Sequence, residues 1–223
     1  MNFLSHHVVA RRLEPGAPDA FFVGNVLPDI AQVRLKPGPE GSLNAGIRLH
    51  LNSDRAFHSD PEFVRLCGIA GDGLRQTALS TPPKRVFFLA HVAVELALDS
   101  VLLSLDGGLA EDLLARMHRG RDEALAALDT LRPDRAEAER ESWAARYDRF
   151  LEHRFVAKYG DTEQLVGSLV HLARRVGPDV LAGGKPDRAA LASYFGELRV
   201  EVGLSAVSLL GRVETAWYNS GAR

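Results

Sequence analysis

Apolar residues recur along most of this chain at intervals of three and four, the period of an amphipathic helix, and alternating strand patterns are missing almost everywhere. The longest apolar stretch, Val86–Leu105 (VFFLAHVAVELALDSVLLSL), has no water-facing side and predicts a buried central helix. Asn2–Leu13 predicts a short helix, followed by a Pro/Gly turn that leaves Asp19 available as an N-cap. Ala20–Val33 predicts the next helical segment, in which Pro28 starts a new turn or kinks an existing one. After a loop at residues 36–41, Ser42–His58 is amphipathic, and Asp60-Pro61 opens a further helix. Thr81-Pro-Pro83 leads into the central helix and Asp106-Gly-Gly108 stops it. Leu109–Leu131 and Asp134–Lys158 read as an antiparallel pair joined at Arg132-Pro133, Asp161–Val176 follows, and Ala189–Tyr218 forms one or two closing helices. The predicted architecture is all-α, a single compact helical bundle over residues 1–223.

The central stretch is apolar yet carries His91, Glu95 and Asp99, each four residues after the last. Four residues turn a helix through about 400° and raise it about 6 Å, so the three side chains form one slowly drifting polar stripe. A carboxylate taken out of water is costly unless it is paired, protonated or bound to a metal. His50, Asp54 and His58 repeat the same spacing on a second helix. Two residues at i and i+4 can grip one ion, as in H-E-x-x-H, whereas the i+8 residue lies about 12 Å along the axis from the first. The pattern therefore allows two metals side by side, or one metal whose inner ligands are oriented by the outer residues. Imidazole with carboxylate suits zinc, iron or manganese. Asp29, shaped by the glycine and proline of Gly24-Asn-Val-Leu-Pro-Asp29, could supply a bridging carboxylate, and His6 could come from the first helix. The competing reading makes the two triplets buried hydrogen-bond or salt-bridge networks in a non-catalytic helical binding protein.

Composition narrows these readings. The chain has 223 residues, 46% of them apolar and 25% charged, and a formal net charge of −2, so whole-molecule charge gives no reason to expect nucleic-acid binding. The lone Cys67 excludes an intramolecular disulfide framework and a multi-cysteine zinc site, and fits a reducing compartment. The first residues lack a secretory pattern, and three ionisable groups on one face of Val86–Leu105 argue against a membrane span, so the cytoplasm is the expected location. His7, His118, His153 and His171 stand without a carboxylate at helical spacing and read as structural. The cluster Arg116, His118, Arg119 and Arg121 reads as a solvated helix face, with an acidic partner as the alternative. G-x-S-x-G, P-loop and G-x-G-x-x-G motifs are absent.

The N-terminal half resembles the acyl carrier protein phosphodiesterase family. Met1-Asn2-Phe3-Leu4-Ser5-His6 is similar to that family's M-N-F-L-A-H, Gly24-Asn25-Val26-Leu27-Pro28-Asp29 to its G-N-L-L-A-D, and Gly46-Ile47-Arg48-Leu49-His50-Leu51-Asn52-Ser53-Asp54 to its G-I-x-x-H-x-x-x-D. Trp143-x-x-Arg146-Tyr147 and Arg174-Arg175 are weaker echoes. The resemblance implies a fold akin to the HD-domain metal hydrolases and metal-dependent hydrolysis of a phosphodiester, releasing phosphopantetheine from acyl carrier protein. It gives His6, Asp29, His50 and Asp54 a functional reading. In the central helix the family has two Asp four apart where this chain has His91 and Glu95, and Asp99 is added. The His91/Glu95/Asp99 spacing also resembles helical zinc-dependent phospholipase C-like hydrolases. The resulting expectation is one or two divalent cations held by Asp29, His50, Asp54, His91 and Glu95. Asp99 or Glu95 would orient or deprotonate a water, and His58 or His6 would protonate the leaving oxygen.

Overall fold

A computed structural model describes residues 1–31, 35–38, 40–77, 85–127, 131, 136–176 and 186–220. Among the described residues every regular element is a helix and none is a strand, as the hydrophobic period predicts. The elements are α1 (Phe3–Leu13), α2 (Asp19–Ala31), α3 (Ser42–Ser59), α4 (Pro61–Thr77), α5 (Val86–Leu105), α6 (Leu109–Arg119) and α7 (Arg121–Ala126). There follow α8 (Ala136–His153), a short 3₁₀ turn (Phe155–Lys158), α9 (Thr162–Val176) and α10 (Arg188–Asn219). They group into two compact units. The first comprises residues 1–57, 107–157 and 210–223, and the second residues 58–106 and 158–209.

In the first unit α2 is the hub, packed against α1, α6, α7 and α8. It is apolar for most of its length, and residues 20–27 are all buried. Its approach to α3 is set by two glycines. A Cβ on Gly24 would lie 2.1 Å from the Leu43 carbonyl oxygen, and one on Gly46 would lie 2.0 Å from that of Phe21. Only glycine lets the two backbones touch there. Pro28 sits inside α2 without ending it. Asp19 begins α2, and its carboxylate takes Arg119 at 2.6 Å and Arg116 at 3.2 Å. Arg121 likewise holds Asp148 at 2.6 Å. The basic cluster is thus largely engaged within its own unit.

Two sequence expectations change here. The helix expected over Leu109–Leu131 is interrupted at Gly120, where a Cβ would stand 2.6 Å from Val23 Cγ2. The helix expected over Asp134–Lys158 ends at His153, because Arg154 adopts a left-handed φ of 47° before the 3₁₀ turn. That reversal brings Phe155 against Phe150 and Phe3, with ring centroids 5.1 and 5.5 Å away. The turn expected at Arg132-Pro133 lies outside the described residues, as does Val33.

In the second unit α5 packs along α4 and against α9. It is the one helix among the described residues long and apolar enough to cross a membrane, and 61% of its most apolar stretch is buried within the protein. Leu89, Ala90, Ala93, Val94 and residues 96–102 make up the buried part. The α4–α10 contact is close: the Tyr194 hydroxyl donates to the Ala70 carbonyl at 3.2 Å, and its ring lies over Gly73. Residues 188–219 form one closing helix.

Candidate metal centres

Six of the candidate residues fall into two sets that share no member: His50 joins His6 and Asp29, while His58 joins His91 and Glu95; Asp54 and Asp99 are in neither. In the first unit, His6 from α1, Asp29 from α2 and His50 from α3 each direct one donor atom to a common point, all within 4.8 Å of one another. His6 Nε2 is 4.0 Å from Asp29 Oδ2, and His50 Nε2 is 3.7 Å from Asp29 Oδ1. These spacings exceed a hydrogen bond but suit the edges of a coordination polyhedron. Ligands about 2.1 Å from an ion in tetrahedral array are about 3.4 Å apart. Asp54, one turn after His50, sits 3.9 Å from His6 Nε2 and accepts from the α-amino group of Met1 at 2.7 Å.

Backbone carbonyls set the orientation of these rings. His50 Nδ1 lies 2.9 Å from the Asn25 carbonyl oxygen. A carbonyl only accepts, so Nδ1 carries the proton and donates it, and in the neutral ring Nε2 turns its lone pair toward Asp29. The Asn25 side chain donates in turn to the His6 carbonyl at 2.7 Å. Ser53 Oγ donates to the His50 carbonyl at 3.1 Å and approaches His6 Nδ1 at 3.4 Å. The two imidazoles stack at 4.0 Å with 21° between planes. Both rings are buried, while Asp29 and Asp54 are about one-third exposed. The imidazoles therefore form the floor of the site; Asp29 turns a buried oxygen, Oδ2, toward His6, although its side chain as a whole is partly exposed. Helical spacing points to none of Asn25, Ser53 and the Gly24/Gly46 contact, although all four residues lie inside the motifs quoted above.

The second set lies in the other unit: His58 near the end of α3, with His91 and Glu95 one turn apart on α5. Both Nε2 atoms converge on one carboxylate oxygen, His58 at 3.0 Å and His91 at 3.1 Å from Glu95 Oε1. Phe63 packs on both rings, 5.2 Å from His58 and edge-on to His91 at 5.1 Å. Its position follows from the turn at Asp60, whose carboxylate accepts from the Glu62 backbone N–H at 2.8 Å and starts α4. Burial works against the charge on Glu95, the positive charge of the chain's α-amino group and then the hydrogen bonds from His58 and His91 favour it, and the carboxyl is held well below the ordinary carboxylate range. Cys67 is buried and its thiol is pushed up to about 12 by burial and by Glu95, so it stays an unionised core residue.

Asp99, the third member of the central stripe, is fully buried and belongs to neither set. His6 and His58, read as proton donors, stand instead in ligand geometry. His118, His153 and His171 are exposed. His7 is fully buried, with Nε2 2.9 Å from Asp112 Oδ2 and its ring against Phe22. Burial lowers its pKa to about 4 despite Asp112, so the ring is neutral at pH 7 and donates to a carboxylate that Arg116 also holds at 3.0 Å.

Each set offers two imidazole nitrogens and one carboxylate, a donor combination suited to zinc, iron, cobalt or manganese. No family model, curated protein or solved structure matches this chain.

Proposed function

We propose that this protein is a metal-dependent phosphodiester hydrolase of the kind the acyl carrier protein phosphodiesterase resemblance implies, with an HD-like fold and its working centre at His6, Asp29 and His50. The observation that carries this reading is the anchoring of His50 Nδ1 to the Asn25 carbonyl, which turns Nε2 toward Asp29 and beside His6. All four residues of that arrangement fall in the three N-terminal motifs. A preset tautomer is what a metal-ligating histidine needs, because its second nitrogen must present a lone pair.

A divalent cation held there supplies Lewis acidity, polarising a water and offsetting charge on the phosphoryl oxygens. His6, His50 and Asp29 would hold that ion, the two imidazoles lying on the buried side. Asp54, beside His6 and reachable from solvent, would accept the proton of the attacking water. The substrate class is a phosphodiester linking phosphopantetheine to a carrier protein, met in the cytoplasm.

The test uses bis(4-nitrophenyl) phosphate as a general probe and phosphopantetheinylated carrier protein as the specific one, each with added Mn²⁺ or Zn²⁺. Hydrolysis that EDTA removes, and that Asp29→Asn and His50→Gln each lower by about 10²-fold or more, is the expected result. Turnover of neither substrate under any metal would refute the hydrolase.

A further inference from the structure

The second set does not take part in the chemistry proposed above and shares none of its residues. We infer that His58, His91 and Glu95 form a second divalent-cation site, made of residues that belong to the second unit. The class of ligand is a first-row ion that accepts imidazole, such as Zn²⁺, Co²⁺ or Fe²⁺, rather than the oxygen-preferring Mg²⁺ or Ca²⁺.

Three observations carry this. The first is spacing. Ligands about 2.1 Å from an ion in tetrahedral array are about 3.4 Å apart. His58 Nε2 and His91 Nε2 stand 3.0 and 3.1 Å from Glu95 Oε1, now hydrogen-bonded, and an opening of a few tenths of an ångström would bring them to that edge. The second is support. His91 and Glu95 sit one turn apart on the rigid apolar helix α5, and Phe63 braces both rings, their centroids 4.5 Å apart. The ligands therefore need little rearrangement to receive an ion. The third is access. The side chains of His58 and His91 are 30% and 27% exposed and that of Glu95 is 15% exposed. Three donors occupy one side of an ion, and water can fill the rest. Binding requires each ring to pass its Nε2 proton to Nδ1 or to solvent, so the ion replaces the hydrogens that now bridge the set.

This inference does not rest on the hydrolase reading, and one experiment separates their fates. The full chain is stripped with EDTA and titrated with Co²⁺, following its visible ligand-field bands and counting equivalents by equilibrium dialysis. Far-UV circular dichroism checks that each variant remains helical. Two equivalents in the wild type, one in Glu95→Gln and one in His50→Gln, support the second site. Should Glu95→Gln not fold, His58→Gln serves in its place, since it removes a ligand without touching α5. One equivalent that survives in His50→Gln and vanishes in the second-set variants also supports it, and removes the metal from the hydrolase reading instead. One equivalent that vanishes in His50→Gln and survives in Glu95→Gln and His58→Gln overturns the second site alone. No bound Co²⁺ overturns both.

Discussion

At the scale of single residues, the arrangement of the first set depends on neighbours outside it. Asn25 links two of its candidate ligands, accepting from His50 through its backbone carbonyl and donating to the His6 carbonyl through its side chain. Asn25→Ala removes the second bond alone and should cost about 1 kcal/mol of stability in a denaturant titration. His7 makes a different prediction. Its folded pKa of about 4 lies below the ordinary 6.5, so the unfolded chain binds the extra proton first as pH falls. The stability it contributes is fully present above about pH 6.5 and is lost progressively down to about pH 4. The 2.5-unit depression corresponds to a swing on the order of 3 kcal/mol, which His7→Gln should largely abolish in urea titrations between those pH values. In the sequence His7 is a histidine without a carboxylate at helical spacing. Its partner Asp112 lies 105 residues away, a distance no local pattern can bridge.

At the scale of elements, helical periods gave nearly every segment, and the departures have local causes. Gly120 yields to Val23 and Arg154 turns left-handed, and neither event alters the hydrophobic period around it. A left-handed non-glycine residue costs about 1 kcal/mol. Arg154→Gly should therefore leave stability unchanged or raise it by up to about 1 kcal/mol, the exposed pair with Glu111 contributing little. The Gly24/Gly46 contact allows no such freedom. Gly46→Ala would drive a methyl into the Phe21 carbonyl, separate α3 from α2 and lower stability by about 3 kcal/mol or more, a loss thermal unfolding would show directly. Geometry also explains why the two polar triplets were legible as residues but not as sites. Each step of four residues overshoots a full turn by about 40°, so the third member of a triplet lies about 80° round the helix from the first. His58 accordingly leaves the side of α3 that carries His50, and Asp99 leaves the side of α5 that carries His91. The spacing identifies five of the candidate or adjacent side chains and the motifs add His6 and Asp29, yet which helices meet depends on packing that no single helix encodes.

At the scale of the whole molecule, a chain of ordinary composition places two imidazole–carboxylate sets in two compact units, each set assembled from residues of its own unit. An ion that binds only the folded state adds about 2.7 kcal/mol at a hundredfold excess over its Kd. For a chain of this size that is a rise in Tm of about 5–10 °C, reversed by EDTA, and differential scanning calorimetry would record it. The apolar helix α5 was read from sequence as core because of its polar stripe, and its burial agrees with that reading. The measurement that bears most directly on the central claim is X-ray diffraction from crystals grown with Zn²⁺, collected at the zinc absorption edge. The expected result is an anomalous peak about 2.0–2.2 Å from His6 Nε2, His50 Nε2 and an Asp29 carboxylate oxygen. A map with no zinc peak among these three side chains would contradict a metal centre there.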